Sequence, residues 1–276
     1  MFVTFPNMLK KGDEVIILDP MYGEYTHILQ NVIGARINLV KQDKKNGFKI
    51  NINNILKAVS KKTKMIVLVN PNNPTGQYIE KKEMIKLVAK IPKNIFLFID
   101  ETYIDYIGKK ESMETEIKKY PNLIILKSMS KIYALSGVRV GYLVAGKQVI
   151  SKLSLFNPPW SVGLLGQLAG TIALRNESYY REKLNETKKI NDWAQKELSK
   201  IDGLKPIKSL TNFILIELTN SKLSASKICK NLEGKGIFIR NPQSQSTQLK
   251  DNFIRISIKD KSTTKKIIDA IKKEIK

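Results

Sequence analysis

Cysteine and histidine are almost absent from this sequence, in which Cys229 and His27 each occur once among 276 residues. A lone cysteine excludes an internal disulfide and fits a reducing compartment, so we expect a cytoplasmic protein. One histidine and one cysteine are too few for a zinc site of the usual kind, and no metal site is predicted. A Ser-His or Cys-His nucleophile pair is also disfavoured, because His27 would have to serve alone.

Long apolar runs are absent as well. No run approaches the ~20 apolar residues that a transmembrane helix needs, so we expect no membrane span. The first residues, MFVTFPNMLKKGDE, lack the charged-then-apolar order of a secretory signal. Hydrophobic residues nevertheless make up 42% of the chain, which predicts a globular protein with a substantial core.

Arginine is scarce, although the formal net charge is +23. The chain has six arginines, so nearly all of its positive charge comes from lysines, which are spread along the sequence rather than gathered in one arm. It lacks an arginine-rich or aromatic-interleaved patch of the kind that stacks bases. We therefore expect a lysine-rich solvated surface and no specific nucleic-acid binding. Weak, salt-sensitive binding to polyanions is the alternative.

Short apolar runs alternate with helical patterns over the first half of the chain. Strands are predicted for the runs 14–18, 35–40, 65–69, 95–99 and 123–126. Helices are predicted at 26–32, 50–59 and 81–89. Because the strands are almost continuously apolar, the predicted fold class is α/β, with a mostly parallel sheet covered by helices on both faces.

The pattern changes after residue 141. Helices are predicted at 149–156, in a stretch that ends near 174, and at 179–201. The remainder predicts strands at 212–217, 236–240 and 253–258 and helices at 225–232 and 263–275. This part indicates a small C-terminal α+β domain. We expect a large domain of residues 1–177 and a small domain of residues 178–276 that includes the long linking helix.

Polar side chains follow the predicted strands at the points where they end. Tyr22 follows the first strand, Asn73 lies in the Pro- and Gly-rich turn after 65–69, and Asp100 ends the run 95–99. Tyr25 also lies just beyond the first strand. Ligands bind at the carboxyl ends of strands in open α/β sheets, and a tyrosine there, Tyr22 or Tyr25, could stack on a flat ring or pack on the next helix. Asp100 suits a protonated pyridine nitrogen, and Tyr103 could reach the same cleft. The alternatives are a packed tyrosine, a turn asparagine, and a helix cap or salt bridge for Asp100.

The stretch from Ser128 to Tyr142 concentrates the remaining chemistry. It places Ser128, Ser130, Lys131 and Arg139 just past the end of a predicted buried strand. A phosphate-bearing aldehyde needs an amine for a Schiff base, here Lys131, and hydroxyl and guanidinium donors for its phosphate. The alternative is that Lys131 is one of many surface lysines and that the serines cap a helix.

Two arginines lie on the predicted late strands. Arg255 stands between Ile254 and Ile256, so the pleat puts it on the face opposite to both, where it suits a carboxylate clamp. Arg240 could meet a second anionic group of a substrate. The alternative for both is an ordinary exposed strand arginine.

Four motifs together resemble a family. They are NPNNPTG at 70–76, FIDETY at 98–103, SMSKIYALSGVRVGY at 128–142 and FIRIS at 253–257. In this order and spacing they are similar to the class I/II aminotransferases, the fold type I enzymes that use pyridoxal 5′-phosphate (PLP). The resemblance implies a homodimer that acts on a small-molecule amino-acid substrate.

The resemblance also implies roles for single residues. Lys131 would bond the cofactor and act as the catalytic base, and Asp100 would pair with the pyridine nitrogen. Asn73 and Tyr103 would hydrogen-bond the ring hydroxyl, and Tyr22 would stack on the ring. The phosphate would be held by Ser128, Ser130 and Arg139. Arg255 would hold the substrate carboxylate, with Arg240 near a second anionic group.

Within the superfamily, the chain resembles the histidinol-phosphate aminotransferase branch, which includes the threonine-phosphate decarboxylases of cobalamin biosynthesis. The stretches PWSV at 159–162 and GIFIR at 236–240 look more like the decarboxylases, whereas the general motifs do not separate the two. We therefore expect a substrate that is a small, phosphorylated amino acid or amine, with transamination and decarboxylation both open.

One departure from the family concerns the N-terminus. The family has a further stretch before the position of Met1, with an arm and a glycine-containing loop whose N–H groups hold the cofactor phosphate. We expect residues 1–9 to begin inside the helix after that loop, and the loss of those donors to weaken cofactor binding by about a few kcal/mol. The alternative to an enzyme is a basic polyanion-binding or structural protein that retains a truncated aminotransferase fold.

Overall fold

The computed structural model describes residues 1–220, 222 and 224–275. Its strands are β1 (Glu14–Asp19), β2 (Arg36–Lys41), β3 (Thr63–Val69), β4 (Phe96–Asp100), β5 (Leu123–Ser128), β6 (Gly141–Ala145), β7 (Leu204–Pro206), β8 (Phe213–Leu218) and β9 (Phe253–Ser257). Its helices are α1 (Thr4–Met8), α2 (Gly23–His27), α3 (Ile52–Ala58), α4 (Lys81–Lys90), α5 (Lys147–Ser154), α6 (Leu164–Arg175), α7 (Glu177–Leu198), α8 (Ala225–Glu233) and α9 (Lys261–Ile275).

The first sheet has six strands in the order β2-β1-β3-β4-β5-β6. The first five run parallel, and β6 pairs antiparallel with β5. From Met65 to Val69, every residue of β3 is buried, because helices and loops cover this central strand. The predicted α/β fold with a mostly parallel sheet is confirmed. The strand β6 was not predicted; its first two residues, Gly141 and Tyr142, are the last two of the motif at 128–142.

The second sheet is antiparallel, in the order β7-β8-β9, and it packs with α7, α8 and α9 around its own apolar core. The predicted strand at 236–240 is wrong. Only Arg240 makes a bridge there, with Arg255 of β9. Gly236 follows the end of α8 with a φ of 73°, a left-handed conformation that turns the chain before it can pair regularly.

Two predicted helices differ in detail from the structure. The helix expected at 26–32 is α2, which continues without a break into a π-helical turn at Ile28–Ile33. The helix expected to reach residue 201 ends at Leu198, and Ser199 then leads into the turn before β7.

A cluster of buried side chains joins the two sheets. Phe48, from the turn before α3, packs edge-on against Phe253 of β9 with ring centroids 5.8 Å apart. Leu215 of β8 and Leu249 complete this contact and are fully buried. The second sheet is therefore fixed beside the large sheet by apolar burial.

Helix α6 has two unlike faces. Its small residues Gly166 and Gly170 approach the segment after β5 so closely that an added Cβ would lie 2.9 Å from Val140 and 3.3 Å from Met129. On α6 and the stretch before it, large apolar side chains are more than half exposed: Leu155, Phe156, Trp160, Leu164, Leu165, Leu168 and Ile172. We call this set the α5–α6 apolar surface. None of the helices in the described ranges is both long and apolar enough to cross a membrane.

Candidate active site

A cavity of about 770 Å³ opens where β1, β3, β4 and β5 end. These strands are parallel, so their carboxyl ends meet at one edge of the sheet, which is where ligands bind in such folds. All of the residues that the sequence predicted for the site line this cavity: Tyr22, Asn73, Asp100, Tyr103, Ser128, Ser130, Lys131, Arg139, Arg240 and Arg255. The structure thus brings the whole predicted set together.

Asp100 is the buried acid of the cavity. Its Oδ2 accepts a hydrogen bond of 2.6 Å from the hydroxyl of Tyr25, and its Oδ1 accepts from the backbone N–H and the hydroxyl of Thr102. Burial raises the pKa of the Asp100 carboxyl, and the bonds from Thr102 and Tyr25 oppose that rise. In the described part of the chain no cation forms a salt bridge with it, so the salt-bridge alternative does not apply.

Tyr25 is a site residue whose role the sequence did not reveal. Tyr22 and Tyr25 both follow β1, and the sequence offered the same alternatives, stacking or packing, for each. Tyr25 is wholly buried and packs edge-on against Phe5 with ring centroids 5.9 Å apart. Its hydroxyl donates a hydrogen bond to Asp100. Tyr22 is 40% exposed and turns its ring to the cavity wall. One tyrosine therefore orients the acid, and the other is open to a ligand.

Lys131 lies in the turns that follow β5. Two backbone hydrogen bonds close this segment, from Met129 to Val140 O at 3.1 Å and from Leu135 to Met129 O at 3.2 Å. The Lys131 side chain is exposed, and within the described ranges its ammonium has no hydrogen bond or ion pair. The amine is thus free to react, on a backbone held by β6 and α6.

Ser128, Ser130 and Arg139 surround the same turns. The N–H of Ser130 donates to the hydroxyl of Ser128 at 3.3 Å. The Arg139 guanidinium donates through Nη1 to the carbonyl of Ser136 at 2.8 Å, and Arg139 has a left-handed backbone with φ of 55°. These three side chains give the cavity hydroxyl and guanidinium donors, which are groups that bind phosphate.

Arg255 connects the second sheet with the first. Its Nη1 donates to Oδ1 of Asn73 at 2.5 Å, and its guanidinium lies 5.3 Å from the ring centroid of Phe213. Burial lowers the pKa of Arg255, and its buried Nε has no hydrogen-bond partner among the described residues. Arg255 is therefore not an ordinary exposed arginine. It presents an incompletely satisfied fork to the cavity.

Tyr103 and Arg240 stand beside Arg255. Tyr103 is buried, and burial raises the pKa of its phenol to about 12 although the positive charge of Arg255 opposes this rise. It is therefore a neutral donor at neutral pH. Arg240 is held by two backbone hydrogen bonds with Arg255, of 3.0 and 2.8 Å, while its side chain is exposed. The cavity thus has two guanidinium groups at one end.

A comparison with known families decides the relationship. The family described as aminotransferase class I and II matches residues 3–271. This chain belongs to that family. The predicted family membership is confirmed, and with it the PLP dependence that this family shares.

Individual relatives agree. The histidinol-phosphate aminotransferase of Methanocaldococcus jannaschii is 32% identical over 254 residues, which are 92% of this chain and 66% of that protein. The solved structure of the histidinol-phosphate aminotransferase from Clostridium acetobutylicum has a TM-score of 0.90 at 27% identity, over 99% of this chain and 80% of that one. The chain thus spans about two thirds of the length of the first of these relatives.

A decarboxylase shares the fold. The L-threonine-O-3-phosphate decarboxylase from Porphyromonas gingivalis has a TM-score of 0.82 at 22% identity, over 96% of this chain and 77% of that one. At this identity the likeness concerns the fold, and it does not separate the two reactions.

The cavity has the donor set that PLP needs. An amine, a buried carboxylate and a ring of hydroxyl and guanidinium donors face one space, contributed by Lys131, Asp100, Ser128, Ser130 and Arg139. The Asp100 carboxyl is desolvated and forms no salt bridge among the described residues, which is the environment in which a protonated ring nitrogen would be a favourable neighbour. In the described part of the chain, no cluster of three or more His, Cys, Asp or Glu side chains could hold a metal ion.

Proposed function

We propose that this chain acts on a small amino acid or amine that carries a phosphate, with histidinol-phosphate-type transamination as the first candidate. The observation that supports the proposal most is the convergence of Lys131, Asp100 and Arg255 on one cavity, from three separate segments. The similarity to histidinol-phosphate aminotransferases supports the substrate class. Threonine-phosphate-type decarboxylation is the second candidate, supported by the shared fold and the stretch PWSV at 159–162.

Each site residue would have a separate role in the proposed reaction. When bound, PLP supplies the electron sink for the bonds around the substrate's α-carbon. The Lys131 amine would bond the cofactor and then hold and move the proton at the substrate's α-carbon. Asp100, oriented by the hydrogen bond from Tyr25, would face the ring nitrogen. Tyr22 would cover one face of the ring, and Tyr103 and Asn73 would hydrogen-bond its hydroxyl.

The anionic groups would lie at two ends of the cavity. Ser128, Ser130 and Arg139 would hold the cofactor phosphate. Arg255 and Arg240, which both line the cavity, would bind the phosphate or carboxylate of the substrate through their guanidinium groups. In a decarboxylation, Arg255 would have to hold the carboxylate weakly enough for CO₂ to leave.

Three coarser features accompany this proposal. The α5–α6 apolar surface supports a homodimer, because a patch of this size on a soluble enzyme favours burial against another protein. The two sheets with separate apolar cores support a large unit of residues 1–177 and a small unit of residues 178–276. A cytoplasmic enzyme of amino-acid biosynthesis fits the named relatives, and a place in cobalamin biosynthesis goes with the decarboxylase alternative.

The deciding experiment traps the cofactor. The purified chain is mixed with PLP, its absorbance is recorded, and borohydride reduction is followed by peptide mapping. We expect one reduced adduct on Lys131, absent in Lys131→Ala and present in the control Lys118→Ala, which removes an exposed lysine far from the cavity. Histidinol phosphate and threonine phosphate are then compared as substrates. Scattered adducts with the same yield in Lys131→Ala would contradict the proposal and favour the polyanion-binding alternative.

A further inference from the structure

A buried ion pair lies behind the candidate site. Nζ of Lys127 is 2.7 Å from Oε2 of Glu101, and the two side chains are 10% and 0% exposed. Lys127 is the penultimate residue of β5, and Glu101 is the first residue after β4. Neither side chain was predicted from the sequence to matter.

Every polar atom of this pair is satisfied. Ser112 donates to Oε2 of Glu101 at 2.6 Å and accepts from Lys127 at 3.0 Å. The N–H of Met113 donates to Oε1 of Glu101 at 2.8 Å, and Glu114 lies 3.8 Å from Lys127. The loop at 112–114 therefore closes over the pair and holds both partners in a fixed geometry.

The pair lies on the face of the sheet opposite to the cavity. Asp100 is in register with Leu126, and the N–H of Glu101 donates to the carbonyl of Leu126 at 2.9 Å. Because side chains alternate along a strand, Asp100 and Ser128 project to one face, and Glu101 and Lys127 project to the other. Asp100, Leu126 and Ser128 line the cavity from the first face. Lys127 also borders the cavity, but its Nζ is held by Glu101 and Ser112.

Stability alone does not account for such a pair. Desolvating two charges is costly, and a well-packed apolar pair of similar volume is often as stable as a buried ion pair or more so. What an ion pair with full hydrogen bonding adds is direction, because it tolerates few alternative geometries. Here the fixed geometry of the ion pair restricts the relative position of the ends of β4 and β5, which carry residues of the site.

We propose that the Glu101–Lys127 ion pair is a positioning element of the site: it fixes the ends of β4 and β5 and thereby sets the spacing between Asp100 and the Ser128–Lys131 segment. The charged ends of the two side chains bond each other, Ser112 and the N–H of Met113, so the pair acts through the strand ends. The part of this inference that concerns PLP rests on the proposed function, whereas the part that concerns the strand ends does not.

The test removes both charges together. In Glu101→Gln/Lys127→Met no uncompensated charge stays buried, so we expect the melting temperature to stay within about 3 °C of wild type. The apo protein should nevertheless show faster amide hydrogen exchange at residues 100–102 and 126–131. The dissociation constant of PLP should rise about tenfold or more, since a misplacement of ~1 Å weakens several contacts at once. Ser112→Ala removes the shared hydroxyl and keeps both charges. It should also speed the amide exchange and raise the PLP dissociation constant, but by less than the double substitution.

The control is a second lysine–glutamate pair. Lys81 and Glu116 lie 3.2 Å apart, are partly buried, and do not line the cavity. Lys81→Met/Glu116→Gln should leave the exchange at the strand ends and the PLP affinity unchanged. Wild-type exchange and PLP affinity in the Glu101/Lys127 double variant would overturn the inference, as would an equal loss in the control. If wild-type protein forms no Lys131-dependent PLP bond, the proposed function fails, and the exchange measurement on the apo protein still decides the positioning role.

Discussion

The hydroxyl of Tyr25 donates a 2.6 Å hydrogen bond to Oδ2 of Asp100, across 75 positions of sequence. Because Tyr25 is wholly buried against Phe5 and Phe98, this bond has a fixed direction. It stabilises the ionised carboxylate against the desolvation that raises the pKa of Asp100. A residue outside the four family motifs therefore helps, with Thr102, to lower the pKa of the central acid against the effect of burial.

Tyr25→Phe should raise the pKa of Asp100 further, because one of the hydrogen bonds that lower it is lost. PLP binding that depends on the carboxylate weakens as the pH is lowered and the carboxylate is protonated. In Tyr25→Phe this weakening should begin at a higher pH than in wild type. The apo protein should lose about 1 kcal/mol of unfolding free energy. PLP dissociation constants measured from pH 5 to 8 check the shift. The matched control is Tyr179→Phe, which removes an exposed hydroxyl and should leave the pH profile in place.

Asp100→Asn should make the apo protein more stable at neutral pH and weaken its binding of PLP. The folded-state pKa of Asp100 is raised above 3.8, so the folded chain binds this proton more tightly than the unfolded chain. Stability therefore falls as pH rises from 3.8 through the raised pKa, and the loss persists at neutral pH. Asparagine cannot ionise, so urea unfolding at several pH values should show that the variant lacks this decline. A variant less stable than wild type at pH 7, with unchanged PLP affinity, would contradict this reasoning.

Arg255→Lys should raise the KM for a phosphorylated amine about tenfold or more. Lysine keeps the charge but loses the planar fork that both bonds Asn73 and presents further N–H donors to the cavity. Steady-state kinetics with histidinol phosphate measure the change. Arg175→Lys, at the exposed end of α6, should leave KM unaltered. Equal KM values for the two variants would remove Arg255 from the substrate site.

Gly76→Ala should destabilise the protein more than Gly47→Ala, although both glycines have a φ of 71°. A Cβ at Gly76 would clash with Oγ of Ser209 and would lie 2.6 Å from Cβ of Ser209, whereas a Cβ at Gly47 meets nothing within 4 Å. Backbone strain of about 1 kcal/mol is therefore common to both variants, and the clash is specific to one. Chemical denaturation should separate them by about 1–3 kcal/mol. Similar losses of unfolding free energy in the two variants would contradict this prediction, because the turn at Gly76 and the segment around Ser209 would then move apart at little cost.

The sequence predicted the elements of the site better than their partners. A polar residue that follows an apolar run can be recognised from that one stretch of sequence, and Asn73, Asp100 and Lys131 were predicted as site residues in this way. The bond from Arg255 to Asn73 spans 182 positions, and local periodicity holds no information about such pairing. Tyr25 was ambiguous for the same reason, since burial and the approach of Asp100 are both tertiary.

The missed strand and the false strand have related causes. The residues of β6, Gly141–Ala145, pair antiparallel with β5, and a Cβ at Gly141 would lie 2.8 Å from the carbonyl of Lys127. Glycine is thus required by a close approach that the sequence pattern does not show. The apolar run at 236–240 has strand character, yet neighbours decide whether a strand forms, and only Arg240 meets β9.

The α5–α6 apolar surface and the lysine surplus together set the colloidal behaviour of the chain. A net charge of +23 makes separate molecules repel one another, and this repulsion acts over about 10 Å at 0.1 M salt and about 3 Å at 1 M. Seven large apolar side chains that are more than half exposed attract at contact. Low ionic strength therefore opposes pairing of two chains through this surface. Salting-out ions remove the repulsion and strengthen the apolar contact at once, so the proposed homodimer should be tighter at high concentrations of such salts.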